Sequence, residues 1–181
     1  NLELGKTNAS LNETSNMNFV RSAAGSEDGK MIDVVMESDM PNTASVPIRT
    51  VDSLLDEYRW KKLDLLHMDV QGFEMPALKG ALKSLRTKKV RFLFVSTHHY
   101  LFSDNPNTHG DCMKLIKELG GNIISSHTIP ESFSGDGLIV ASFDEQDKDF
   151  KVETSINHTD QSIFRPYEED LAILLRELDR D

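Results

Sequence analysis

The sequence predicts an α/β fold, and three observations carry that prediction. Short runs rich in β formers, Leu63–Met68, Val90–Val95 and Leu138–Phe143, punctuate the chain. Helix-periodic stretches separate them, at 75–86 and 108–119. The resulting order of strand, helix, strand, helix, strand joins parallel strands by crossovers and covers the sheet on both faces. At 181 residues, with 38% apolar and 28% charged, the chain can bury one sizeable core.

Residues 1–12 read as a helix with a loose apolar face of Leu2, Leu4, Ala9 and Leu11. No capping residue precedes it, which leads to the expectation that N-terminal sequence is missing. Asn18–Ala24 is expected as a strand, and Lys30–Met36 as its hairpin partner across the turn signal Gly25-Ser-Glu-Asp-Gly29. Residues 37–47, polar and containing Pro41 and Pro47, read as a loop. Thr50 caps a short helix to Glu57. Met75–Arg86 reads as one helix that buries Leu78, Ala81, Leu82 and Leu85. Gly80 inside it costs helix stability, so close packing is the expected reason for it.

A polar loop is expected from Ser96 to Asn107. Thr108 then caps a helix to Leu119, with Asp111 placed as in a capping box and Cys112, Leu115, Ile116 and Leu119 inward. Gly120-Gly121 ends that helix. Asn122–Ser126 is a further strand, and alternation at Phe150, Val152, Thr154 and Ile156 suggests one more at an edge. A final helix from Pro166 carries Leu171, Leu174, Leu175 and Leu178. Packing on the domain is the expected use of that stripe, with a homodimer contact as the alternative.

A net charge of −10 argues against a nucleic-acid partner. The basic run from Lys79 to Arg91 reads as a solvated helix face. Cys112 is the single cysteine, which allows no intrachain disulfide and suits a reducing compartment. With no apolar run near ~18 residues and no signal peptide, a cytoplasmic location is expected.

The chemistry is expected where β-strands end, because ligands of open α/β sheets bind beyond their carboxyl ends. Asp69 ends the run Leu63–Met68. His98 and His99 follow the next strand, and His127 ends the one after that. If the last strand runs antiparallel, Asp136 starts it at the same edge. Such a group could deprotonate a hydroxyl, hydrogen-bond a polar substrate or bind a divalent metal. The metal is not favoured, because no HxH or HxxxH pair occurs. His67, inside an apolar run, is expected as a buried, hydrogen-bonded histidine. Trp60 is expected to pack, and Glu74 to be a first-turn residue favoured by the helix dipole.

Three linked segments, Ile48-Arg-Thr-Val-Asp-Ser-Leu-Leu55, Leu63-Asp-Leu-Leu-His-Met-Asp-Val-Gln-Gly-Phe-Glu74 and Leu78-Lys-Gly-Ala81, resemble the FkbM family of S-adenosylmethionine-dependent methyltransferases. Ser96-Thr-His-His99 and Glu131-Ser-Phe-Ser-Gly-Asp-Gly137 are similar to one branch of it, so the resemblance spans about residues 1–143. His67 and Gln71 stand where the family usually has Lys and Glu, and Ser96 where many members have Glu.

The resemblance implies a class I, Rossmann-like methyltransferase sheet in a three-layer α/β/α arrangement, with strand order 3-2-1-4-5-7-6 and an antiparallel last strand. The segments that match begin after the second strand. The Gly-rich turn and the ribose-binding acid are therefore absent from this sequence, and weak or no cofactor binding is expected. Residues 1–148 would form the methyltransferase core and 149–181 a C-terminal extension.

The implied activity is O-methylation of a sugar, lipid or secondary-metabolite hydroxyl, with S-adenosyl-L-methionine as cofactor. On that basis His98 or His99 is the base and Asp69 orients substrate or base while touching cofactor. Ser22 and Ala23 border the adenine, and His127, Glu131 and Asp136 face the acceptor. The alternatives are a non-catalytic binding module and a metal-dependent hydrolase.

Overall fold

The computed structural model describes residues 2–14, 16–36 and 42–157, with residues 171, 175, 176 and 178. Helix α1 spans Leu2–Leu11 as expected, but it buries no side chain, and Leu4 and Leu11 lie open. Its contact is instead Gly5, which lets the Phe19 ring approach to 3.0 Å of where a Cβ would stand.

Strand β1 is only Ala23–Ala24, shorter than the expected 18–24. Strand β2, Met31–Met36, pairs antiparallel with β3, Asn42–Arg49, and β3 pairs parallel with β1. The expected hairpin partner was therefore wrong, and so was the loop over 42–47. Thr43, Val46 and Ile48 are β formers that outweigh Pro47 here. Residues 37–41, the rest of that expected loop, lie outside the described residues.

Thr50 caps helix α2, Val51–Glu57, through its side chain and the Ser53 N–H. Asp28, in the turn after β1, accepts from Ser53 Oγ at 2.6 Å, from Thr50 N and Oγ1 at 2.9 Å, and from Arg49 Nε at 3.3 Å. Those bonds hold its carboxyl down at about 2. Arg49 also bonds Glu57. Strand β4 is Leu63–Met68, as predicted.

The expected helix 75–86 is two short ones, α3 (Glu74–Lys79) and α4 (Leu82–Arg86), broken at Gly80 and Ala81. Asp52 of α2 caps α4, accepting the N–H groups of Lys83 at 2.9 Å and Ser84 at 2.8 Å. Gly80 carries an ordinary φ of −72°. It is glycine for space, because a Cβ there would lie 2.0 Å from the Gly25 carbonyl oxygen.

Strand β5 runs Val90–Thr97, two residues beyond the predicted end, because Ser96 and Thr97 still pair with the last strand. The expected polar loop after it contains a short helix, α5, Tyr100–Ser103. Helix α6 is Thr108–Glu118. Thr108 lies inside it rather than capping it, and its hydroxyl turns back to Ser103 Oγ and the Asn105 carbonyl. Gly120 closes α6 at φ 85°.

Strands β6 (Asn122–His127) and β7 (Gly137–Ser142) complete a sheet ordered β4-β5-β7-β6. Strands β4 and β5 are parallel, and β7 is antiparallel to both neighbours. That order and the reversed strand agree with the 4-5-7-6 half of the class I pattern.

One face of this sheet carries Leu93, Val95, Ile139 and Ala141 into the core with Leu78, Leu85, Cys112 and Ile116. The opposite face departs from the expectation of cover on both sides. Among the described residues it is flanked by 150–154 across a cavity of ≈ 480 Å³ lined by Leu65, Phe92, Phe94, Leu138 and Val140. His67 is exposed rather than buried, because it alternates onto this face with Leu65.

Residues 150–157 run beside β6, with Val152 N bonding the Ile124 carbonyl, but form no edge strand. Trp60 stacks on Tyr58 at 5.1 Å and stays 43% exposed. Of the expected final stripe, Leu171, Leu175 and Leu178 are exposed, while Arg176 bonds Asn105 and Asp111 near the start of α6. Leu174 lies outside the described residues.

Candidate functional site

Strand β4 ends at Met68, and the chain then turns sharply. Gln71 (φ 49°) and Gly72 (φ 94°) are consecutive left-handed residues. Gly72 meets two demands at once, since a Cβ there would also lie 2.4 Å from the Phe102 carbonyl oxygen. The turn leaves Asp69 half exposed at the sheet edge and sends Glu74, in the first turn of α3, back beneath it.

Glu74 is fully buried. Its Oε1 accepts the Gly72 N–H at 3.0 Å and lies 2.7 Å from His98 Nδ1. Its Oε2 is buried with no hydrogen-bond partner among the described residues.

His98 follows β5 and is 3% exposed. Its Nε2 lies 3.3 Å from Asp69 Oδ1 and 3.7 Å from Asp136 Oδ1, yet makes a hydrogen bond with neither. The Glu74 hydrogen bond raises the His98 pKa above the ordinary 6.5, burial opposes it, and the charges of Glu74, Asp136 and Asp69 add to the rise. The Phe102 ring stands edge-on at 6.2 Å. The structure therefore brings Asp69, His98 and Asp136 together, as the reversed last strand required.

His99 is buried as well and has a different place. Its Nδ1 accepts the Leu101 N–H at 3.4 Å as the cap of α5, and its ring lies 4.2 Å from that of Tyr100. His127 and Glu131 belong to a neighbouring group. His127 Nδ1 meets the Thr128 carbonyl at 3.2 Å, and Glu131 accepts from Thr128 N at 2.8 Å and Oγ1 at 2.9 Å. Those bonds lower the Glu131 carboxyl.

His109 on α6 also belongs there and bonds the buried Thr97 hydroxyl at 2.9 Å. Burial pushes His109 down to about 4, so it is neutral at physiological pH. Among the described residues no group of His, Cys, Asp or Glu has the arrangement to hold a metal ion.

Ser22 and Ala23 line a cavity of ≈ 430 Å³ with Ala24, Ile32, Asp33, Val34, Val70, Gln71 and Phe73. Gln71 links this cavity to the histidine cluster, because its Nε2 donates to Asp69 Oδ1 at 3.4 Å.

Two residues escaped the sequence reading. Glu74 was visible only as a helix-start acid, and nothing local announces that the turn buries it. His109 lies in a helix whose apolar stripe gave it no distinction.

A model of the Methyltransferase FkbM domain matches residues 1–123 of the 181. The match contains Ser22, Ala23, Asp69, His98 and His99, and ends in β6, short of the span to 143 that the resemblance suggested. His127, Glu131 and Asp136 lie beyond it. Neither the curated proteins nor the solved structures searched gave a match. No helix among the described residues is long and apolar enough to cross a membrane. The chain belongs to the FkbM methyltransferase family.

Proposed function

We propose that this FkbM-family chain serves S-adenosylmethionine-dependent O-methylation, with His98 as general base. The observation that carries the reading is His98 Nε2. It is a buried nitrogen with no hydrogen-bond partner among the described residues, within 3.7 Å of two half-exposed carboxylates. A base of this kind needs an unengaged lone pair within reach of an acceptor hydroxyl.

The residues around the Ser22–Ala23 cavity fit an adenosyl group. Ala23, Ala24, Ile32, Val34, Val70 and Phe73 give apolar walls, and Ser22, Asp33 and Gln71 give polar groups suited to a purine edge. Asp69 and Asp136 suit a neighbouring cation. When bound, S-adenosylmethionine supplies an electrophilic methyl on a sulfonium centre. His98 takes the acceptor hydroxyl proton at Nε2, and Asp69 orients that hydroxyl and offsets the imidazolium charge. The Phe102 ring on α5 and Asp136, which both face His98, bound the side on which a sugar, lipid or secondary-metabolite alcohol would enter.

The test is transfer of a labelled methyl group to a panel of such alcohols. His98→Ala should lower turnover by roughly 10²–10⁴ while cofactor affinity is kept. Ala23→Trp should fill the cavity and weaken cofactor binding instead. In the unsubstituted chain kcat/KM should rise with pH through a midpoint above 6.5, because His98 must shed its proton to act. Equal turnover by His98→Ala and the unsubstituted chain would reject the base assignment.

A further inference from the structure

We infer that Glu74 is the positioning residue of His98. Its carboxylate fixes the tautomer with the proton on Nδ1, leaves Nε2 as the basic nitrogen, and holds the imidazolium once a proton arrives. The role in turnover rests on the function proposed above. The placement of the proton does not.

Three features support the assignment. A fully buried carboxylate needs a compensating donor, and the 2.7 Å contact makes His98 Nδ1 the one side-chain donor to Glu74 among the described residues. A carboxylate accepts only, so a neutral His98 must present N–H at Nδ1 and a lone pair at Nε2. The second bond to Glu74, from the Gly72 N–H at 3.0 Å, fixes the carboxylate to the turn that also carries Asp69.

The groups facing His98 come from four elements. They are Glu74 from α3, Asp69 from the turn after β4, Asp136 from the loop before β7, and the Phe102 ring from α5. Only Glu74 among them contacts Nδ1. Asp69 and Asp136 stand on the Nε2 side and would favour a proton there, but at 3.3 and 3.7 Å they make no hydrogen bond, so the 2.7 Å bond to Glu74 outweighs them.

A purely structural role is separable. The Gly72 N–H needs an acceptor and no charge, so Glu74→Gln keeps that bond and removes the charge opposite His98. The first measurement is made on the unsubstituted protein. Side-chain nitrogen chemical shifts of His98 should show the Nδ1–H tautomer above its titration midpoint, and an Nε2–H tautomer would overturn the assignment.

In Glu74→Gln the His98 midpoint should fall by about one pH unit or more, and Glu74→Asp should restore part of it. A folded Glu74→Gln protein with an unmoved midpoint also overturns the proposal. Methyl transfer should drop at least ~10-fold in Glu74→Gln, with its pH profile displaced in the same sense. If the tautomer and midpoint behave as stated but no alcohol is methylated, the function proposed above fails and the positioning role stands.

Discussion

Gly80→Ala offers a test of the packing that needs no substrate. The added Cβ would sit 2.0 Å from the Gly25 carbonyl oxygen and 3.3 Å from Thr50 Cβ. Unstrained carbon–oxygen contacts stay above 3 Å, so the two segments must part by about 1 Å. Gly25 has no room to retreat, because its own missing Cβ would fall 2.7 Å from Ile48 Cγ2. Gly80 is also tied in place by its carbonyl, which accepts the Asp52 N–H at 2.9 Å.

Overpacking of this kind costs about 3 kcal/mol, and alanine at a helix end recovers at most ~1 kcal/mol of it. The net of about 2–3 kcal/mol should lower Tm by roughly 4–12 °C for a chain of this size. Thermal and urea unfolding measure it.

Gly120 is the contrast, with φ 85° and open space around it. Asparagine should be tolerated better than alanine there, since it adopts the left-handed region more readily. At position 80 the order should reverse, because asparagine is larger. A stability loss at 80 below about 0.5 kcal/mol, or asparagine outperforming alanine there, would refute the steric argument.

Asp28→Asn should flatten the acid limb of the stability curve. The Asp28 pKa is depressed to about 2, so its contribution is present above the ordinary 3.8 and lost as pH falls through 2, which unfolding at stepped pH can follow. His98 has the opposite sign. Its contribution is present below 6.5 and fades as pH rises through its elevated midpoint, and stability measured from pH 5 to 9 should lose that slope in His98→Gln. Asp52→Ala should cost about 1 kcal/mol through loss of the α4 cap, read by urea midpoint. Cys112, buried and with its thiol pushed up to about 12, should resist a thiol reagent at pH 8 until the protein is unfolded.

Strands β4, β5 and β7 were legible because apolar runs bounded by turn residues fix them locally. The stretch 42–47 was not, because its pairing with β2 is set by a partner rather than by its own propensity. The same holds for the break after Gly80, where Asp52 of α2 takes up the Gly80 carbonyl and the Ser84 N–H that a continuous helix would have paired.

The three linked sequence motifs also divide once placed. Thr50 and Asp52 cap two helices, and Gly80 makes room for Gly25, so those two motifs hold the scaffold. The segment from Asp69 to Glu74 carries the site. Sequence could put Asp69, His98 and Asp136 at one edge, since strand ends follow from topology. It could not show that His98 Nδ1 faces Glu74, which depends on the angle of one turn.

The close approach of Gly72 to α5 bears on how the acceptor range could be changed. The backbone oxygen of Phe102 abuts Gly72, whereas the side chains of Leu101 and Phe102 are 69% and 57% exposed. Main chain and side chain at residues 101 and 102 are thus under separate demands. A library that varies the side chains at 101 and 102 would alter the surface beside His98 without disturbing the turn beneath. One that inserts or deletes a residue in α5 would dislodge Gly72, and with it Asp69 and Glu74, the two carboxylates that its turn carries toward His98.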